Sequence, residues 1–301
     1  MMRRPPASVV VPTRAPWPAV RPVVDALSEQ IRATGVELLI ADGTDHGNAL
    51  DRRAAALPDP LVRVCARSGA DVFELRALGT AAAQGEIVAI TEDHCVPEAD
   101  YLATILSAHE RHPELAVAGA VINGSTDRAI DRVNFLLVHA RNVPPRDSLP
   151  GSGWIPTPSN ISYKRRCLPA ERPVRGWLET VHNVRLLQDA QVVFDERIVV
   201  RHVQSTGRVG TFRNHFHAGR SMGGLGRDAV ASRQARLRWA LGSSASLPGR
   251  LVCPAWREML RHPSGGSVLL TPLAVAVSIA DAIGFLCGVV AGPGQSADRV
   301  Q

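Results

Sequence analysis

Near its start the chain carries a short β-branched run, Ser8-Val9-Val10-Val11-Pro12-Thr13, closed by proline. Such a run marks a buried strand. Behind it Val20, Val23, Val24, Leu27 and Ile31 recur at helical spacing, Gly35 supplies a stop, and Leu38-Leu39-Ile40-Ala41 forms a second apolar run. Asp42-Gly43-Thr44-Asp45 then turns the chain, and a third short strand is predicted at Leu61–Cys65. Asp71, with Glu74 three residues on, opens a helix by the capping-box pattern and carries it to Gln84. Ile87–Thr91 reads as the next buried strand, Asp100–His112 as a helix and Leu115–Ile122 as a further strand. Strands alternating with helices predict an α/β fold with a mostly parallel sheet and right-handed crossovers. In such sheets ligands sit at the carboxyl ends of the strands, where Thr13, Asp42 and Asp93 all fall.

The pattern changes after Ala140. Pro144-Pro145, Pro150-Gly151, Gly153 and Pro156-Thr157-Pro158 make a long loop that suits a flap. A short strand is expected at Asn160–Tyr163, a helix near Glu179–Gln188, and edge strands at Val192–Phe194 and Ile198–His202, with Asp189 and Asp195 as solvated turn acids. An Arg-, Gly- and Ser-rich stretch follows from Gly207 to Arg236. Ser267–Gly292 breaks the composition: 26 residues whose only charge is Asp281, enough to cross about 30 Å of hydrocarbon. A membrane helix, a hairpin dipping into one leaflet and a buried core helix all fit this segment. Arg250, Arg257 and Arg261 on its amino side place the main domain in the cytoplasm if it is membrane-bound.

Composition narrows the class. In 301 residues, 45% apolar and 21% charged, there is core enough for one large or two modest domains. The net charge is +6, and Lys164 is the only lysine, so the basic charge is nearly all arginine. With no long basic run, nucleic acid is not an expected partner, whereas a nucleotide diphosphate or acidic lipid is. Five scattered cysteines without a CxxC pair fit a reducing compartment, and Val9–Val11 is too short for a signal-peptide core. The cluster Glu92-Asp93-His94 at a strand end calls for a cation, and carboxylates there suit Mg2+ or Mn2+. Asp93 is the first ligand candidate, its competing role being a turn or cap aspartate before Pro97. His94 and His202 are further candidates that packing also explains.

Ser8–Thr13, then Leu39-Ile40-Ala41-Asp42-Gly43-Thr44, then an Arg76-containing helix, then Ala89-Ile90-Thr91-Glu92-Asp93-His94 with Pro97, resemble the nucleotide-sugar half of family 2 glycosyltransferases of the GT-A fold. The likeness continues through Ser159–Ser162, Trp177–Thr180 and Val200-Arg201-His202. It implies a Rossmann-like GT-A domain with a C-terminal hydrophobic, membrane-associated helical segment. The expected division is residues 1–125 for the nucleotide-sugar half, 126–240 for the acceptor half and 241–301 for the membrane-associated region.

The resemblance further implies that Pro12, Thr13, Arg14, Asp42, Arg76, Glu92 and Asp93 bind the nucleotide sugar. Asp42 would accept from the base edge, and Asp93 stands as the second acid of the DxD motif. Thr91 occupies the place of the first acid, a departure that shifts ribose contacts to Glu92 or brings in His94 or His202 as metal ligands beside Asp93. Glu179, opening a helix, matches the family's general base. The implied reaction is inverting transfer from a nucleotide-diphosphate sugar to a hydroxyl of a glycan or lipid-linked acceptor, with Mg2+ or Mn2+, at the cytoplasmic face of the cell membrane. Two other functions share these features: a catalytically degenerate nucleotide-sugar-binding partner protein, and a nucleotidyltransferase on a similar sheet. Arg201, Arg208, Arg213 and Arg220 read as a phosphate clamp or as a solvated helix face, and Trp154 and Trp177 as sugar platforms or as packing groups.

Overall fold

A computed structural model describes residues 4–44, 61–145, 154–168, 179–204, 206–227, 232–261, 268–296 and 299. The chain divides into two compact units, one of residues 1–122 with 142–203 and one of residues 123–141 with 204–301.

The first unit is built on an eight-stranded sheet with strands β1 (Ala7–Thr13), β2 (Glu37–Asp42), β3 (Val62–Ala66), β4 (Ile87–Thr91), β5 (Cys95–Pro97), β6 (Ala116–Asn123), β7 (Asn160–Lys164) and β8 (Val192–His202). Its order is β3-β2-β1-β4-β7-β6-β8-β5. From β3 to β4 all neighbours are parallel, while β7 runs antiparallel to β4 and β6, and β5 antiparallel to β8. The alternating segments produce the parallel half, as the sequence predicts. Every antiparallel pair involves β7 or β8, the two strands that follow the lapse of the alternation after Ala140.

Helices α1 (Trp17–Thr34), α2 (Val72–Ala82), α3 (Tyr101–Arg111) and α5 (Glu179–Gln188) belong to this unit, and α4 (Ala129–His139) to the second. Helix α1 buries Val20, Val23, Val24, Leu27 and Ile31 on one face and ends at Gly35, whose φ of 69° is the left-handed cap a Cβ would strain. Helix α2 has the expected capping box: the Asp71 carboxylate accepts from the Glu74 amide, and Glu74 accepts from the Asp71 amide. Val10, Leu39, Val88, Ile90, Ala118, Ile161 and Tyr163 form the core against the sheet.

Four details depart from the sequence reading. The two edge strands predicted at 192–194 and 198–202 are one strand, β8. Asp195 on it is not solvated: it is 5% exposed and accepts from Arg111 at 3.0 Å and Arg197 at 2.8 Å. Burial pushes its carboxyl up, but the two guanidiniums more than offset this and hold it at about 2. The sequence reading contains neither the three-residue β5, too short to show a period, nor helix α4, although Ile130, Val133 and Leu137 recur at helical spacing there. Residues 146–153 of the long loop lie outside the described residues, but Trp154 at its end is packed, donating to Asn142 Oδ1 at 3.0 Å and meeting Phe194 edge-on.

The second unit is helical: α4, α6 (Gly207–Arg227), α7 (Arg233–Arg261) and α8 (Thr271–Ala291). In the Arg-, Gly- and Ser-rich stretch, Gly207–Arg227 and the residues from Arg233 on are thus helix. Ile130, Val133 and Leu137 of α4, Ala255 and Met259 of α7, and Ala274 and Val277 of α8 make its core. Among the described residues α8 is the one helix long and apolar enough to cross a membrane. Its central aspartate is paired: Asp281 Oδ2 lies 3.2 Å from Nδ1 of His215 on α6, whose Nε2 lies 3.1 Å from Asn134 Oδ1 on α4.

Candidate active site

The carboxyl ends of β1, β2 and β4 assemble the polar residues of the first unit. Parallel pairing puts Thr13 opposite Asp42. The Thr13 hydroxyl donates to Asp93 Oδ2 at 2.6 Å, and His94 Nδ1 lies 2.8 Å from Asp93 Oδ1. One hydroxyl therefore joins the end of the first strand to the acid just beyond the fourth. Asp42 is fully buried. Its Oδ1 accepts from the Thr44 amide at 2.8 Å, while its Oδ2 has no hydrogen-bond partner among the described residues. A buried acceptor left this way is costly unless a ligand completes it.

Glu92 is the hub on the other side of Asp93. Arg76 of α2 donates to its Oε1 at 2.9 Å, and the Ser159 hydroxyl donates to its Oε2 at 2.7 Å. The turn closed by the Cys95 amide on the Glu92 carbonyl folds Glu92 back over Cys95, whose thiol donates to Oε2 at 3.8 Å. The β5–β8 ladder brings the far end of the chain here, pairing Cys95 with His202, and the Val203 amide donates to the His94 carbonyl. The His94 and His202 rings meet edge-on at 4.7 Å.

Thr91 explains its own departure from the family pattern. It is fully buried and donates to the Ser159 carbonyl at 2.9 Å. Ser159 in turn fixes Glu92, so the position of the missing acid serves to lock β7 against the site. An aspartate there would face a carbonyl in a dry environment.

The electrostatics follow from this crowding. Burial pushes the Glu92 carboxyl up, but His94, Arg76, the Ser159 hydroxyl and His202 together bring it down to about 2, so it is a carboxylate at any working pH. Burial opposes charge on His94 as well, yet the Asp93 hydrogen bond and the charges of Glu92 and Asp93 raise its pKa. Burial and the neighbouring acids raise the Cys95 thiol well above its ordinary value.

One donor atom from each of Glu92, His94, Cys95 and His202 lies within 4.8 Å of the others. The chemistry of this set, a carboxylate, two imidazoles and a thiol, fits a divalent cation. The proposed ligands His94 and His202 are in this group, and Asp93 adjoins it through His94. The participation of Glu92 as a donor beside the histidines, and that of Cys95, is not evident from spacing; what brings them in is a four-residue turn. Of the expected nucleotide contacts, Pro12, Thr13 and Asp42 line the strand ends, Arg14 is exposed just beyond, and Arg76 is buried against Glu92. Glu179 does open α5, but its side chain lies outside the described residues, as does Trp177.

A parallel sheet carrying an acid and histidine cluster at its carboxyl edge, with an antiparallel extension, is the architecture of a GT-A glycosyltransferase. The family described as "Glycosyl transferase family 2" matches residues 8–168, so the chain belongs to that family and is an enzyme of the glycosyltransferase class. Among solved structures, a mannosyltransferase from Pyrobaculum calidifontis in complex with GDP-Man and Mn2+ is similar at 18% identity, over 98% of this chain and 88% of that chain, with a TM-score of 0.52. TarS from S. aureus aligns at 11% identity over 94% and 90% with a TM-score of 0.48, and glucosyl-3-phosphoglycerate synthase from Mycobacterium tuberculosis at 16% over 66% and 72% with 0.43. No curated protein matches.

Proposed function

We propose that this enzyme transfers a sugar with inversion from a nucleotide-diphosphate donor to a hydroxyl of a lipid-linked or cell-envelope glycan, at the cytoplasmic face of the cell membrane. The observation that carries the reading is the Thr13–Asp93–His94 chain beside Asp42, which gathers at one sheet edge the groups a nucleoside, a diphosphate and a cation each require. The GDP-Man and Mn2+ held by the mannosyltransferase of similar fold support it.

In this reading the unsatisfied Asp42 Oδ2 accepts from the base edge, and Thr13 orients the Asp93 carboxylate toward the diphosphate. Glu92, His94 and His202 would hold a divalent metal with Asp93 alongside. The metal supplies positive charge where the leaving diphosphate gains negative charge. Arg76 and Ser159 hold the Glu92 carboxylate in one orientation. The acceptor hydroxyl attacks the anomeric carbon as the bond to the diphosphate breaks, and Glu179 takes the hydroxyl proton.

The test combines binding with turnover. Nucleotide sugars should raise the melting temperature, and more so with Mn2+, because a ligand confined to the folded state stabilises it by mass action. Nucleoside diphosphate release should fall about 10²–10⁴-fold in Glu179→Gln while that melting shift is retained. Absence of any shift across the common nucleotide sugars would remove the donor site. The Thr91 tether, which takes an acid out of the DxD position, favours one other reading, a binding protein without turnover; tight donor binding with no diphosphate release would establish it.

A further inference from the structure

The excess positive charge of this chain is confined to one part of it. Residues 204–301 hold 11 arginines against 4 acids, whereas residues 1–203 hold 23 basic against 24 acidic residues. A charge asymmetry of this kind points to an anionic surface as partner. The same part bares apolar side chains. On α8, Val275, Ile279, Ile283 and Val290 follow one helical face and are each at least 38% exposed. On α7, Leu237, Leu241, Trp256 and Leu260 are equally bare, interspersed with the exposed arginines Arg238, Arg250, Arg257 and Arg261. The sole acid on each helix is turned inward: Glu258 is 6% exposed and pairs with Arg261, and Asp281 pairs with His215. Basic residues beside Trp and Leu on a long helix are the signature of a helix lying in a lipid interface.

The opposite face of α8 decides how deep it goes. A Cβ added at Gly219 or Gly223 of α6 would strike the backbone of Asp281 or Phe285, and one at Gly284 or Gly288 of α8 would strike the carbonyl of Phe216 or Arg220. Two glycine pairs spaced by four thus interlock, and the partner numbers rise together, so α6 runs alongside α8 in the same direction. If α8 crossed a bilayer, α6 would cross with it. Helix α6 carries Arg213, Asn214, His215, His217 and Arg220, with Arg213 exposed. Charges at that depth are among the costliest side chains to place. Arg220, one of the arginines of the phosphate-clamp reading, has a local duty as well: its Nε donates to the Gly292 carbonyl, and Arg227 donates to the Val290 carbonyl, capping the end of α8.

From this we infer that the helical unit seats in plane on one leaflet of an anionic bilayer, with the bare stripes of α7 and α8 in the acyl boundary and the α7 arginines on lipid phosphates, and that α8 does not span. The inference deepens the membrane placement proposed above and rests on it. It is tested by sedimentation of the full chain with sealed vesicles of phosphatidylcholine alone or of phosphatidylcholine and phosphatidylglycerol at about 3:1. The protein should pellet with the mixed vesicles only, and less as salt rises. The triple variant Arg238→Gln, Arg250→Gln, Arg257→Gln should lose about tenfold or more in partition. Ile279→Ser with Ile283→Ser should lose a similar amount, with unchanged thermal unfolding in both cases because the side chains are exposed.

Topology is read in a Cys253→Ser background by adding Leu269→Cys or Gln295→Cys, at the two ends of α8, and treating bound protein with an impermeant maleimide from outside. Both reporters should label as fast as in the free protein with Cys253→Ser alone as baseline. Protection of one end means a spanning helix and overturns the in-plane seat while leaving membrane binding standing. Equal binding to both vesicle types overturns the anionic requirement. No binding to either, with a dimer by sedimentation velocity, removes the membrane reading altogether and assigns the stripes to a second copy; the donor-binding melting shifts are independent of all these outcomes.

Discussion

Each unit of this protein contains a carboxylate and a histidine in contact, and the two pairs are built to opposite ends. Asp281 and His215 stand in the helical unit, with His215 only 5% exposed and its second nitrogen closed off by Asn134. Beside them α6 and α8 approach so closely that a Cβ at Gly219 would strike Asp281 itself. Asp93 and His94 sit at the strand ends with side chains 18% and 21% exposed, and the second nitrogen of His94 faces Glu92 at 3.5 Å with His202 beside it. The residue types are the same. What separates a packing device from a reactive centre is the second nitrogen of the histidine: that of His215 is spent on Asn134, whereas that of His94 converges with other donors on one point.

The contrast is broken most directly by truncating each pair in turn. Asp93→Ala removes the acceptor of both the Thr13 and His94 hydrogen bonds and the charge nearest the proposed diphosphate. Turnover should fall about 10²–10³-fold, the range expected when one preorganised electrostatic group is lost, while the melting temperature moves little because the side chain is part-exposed. Initial rates of diphosphate release beside thermal unfolding measure both. An unfolded Asp93→Ala protein would mean that this pair, too, is structural.

His215→Ala should behave in the reverse way. It strips Asp281 and Asn134 of a buried partner and leaves a cavity, so unfolding free energy should drop by about 2–3 kcal/mol. Rates per folded molecule should stay within about twofold, since no donor of the strand-end cluster is touched. Denaturant titration gives the first quantity, and rates normalised to the folded fraction give the second. A large loss of turnover without loss of stability would place His215 in the chemistry and erase the distinction.

How much of this contrast the chain itself announces depends on the distance over which the determining contacts act. The parallel half of the sheet, the α2 capping box and the Gly35 stop are local, and periodicity and turn chemistry reveal them to within a residue or two. Asp42, Thr13 and Asp93 converge because strand ends converge, which topology alone requires. The ties that turn them into a site are not local. Ser159 reaches Glu92 only through the Thr91 tether, and His202 arrives only because the three-residue β5 pairs with β8. So short a strand carries no periodic signal. The burial of Asp195 is hidden in the same way, because its partner Arg111 lies 84 residues earlier. In α8 the apolar composition does not by itself separate membrane contact from packing: the same run packs Ala274, Val277, Gly284 and Gly288 inward, and only the glycine spacing shared with α6 records it.

The smallest effect is the sharpest discriminator, because one residue should produce two opposite slopes. In metal-free protein the Asp93 hydrogen bond and the charges of Glu92 and Asp93 outweigh burial and raise His94 above its ordinary value of 6.5. The fold then holds that proton more tightly than the unfolded chain does. Its contribution to stability is complete below pH 6.5 and is lost as pH climbs through the raised value. A divalent cation needs the neutral ring, so stabilisation by Mn2+ should grow over the same interval as the proton leaves. Urea midpoints from about pH 6 to about pH 8.5 should therefore decline with EDTA, and the gap between Mn2+ and EDTA curves should widen. His94→Gln should flatten the first trend and close the gap. A slope that survives in His94→Gln belongs to another group, and a gap that survives places the cation on ligands other than this histidine.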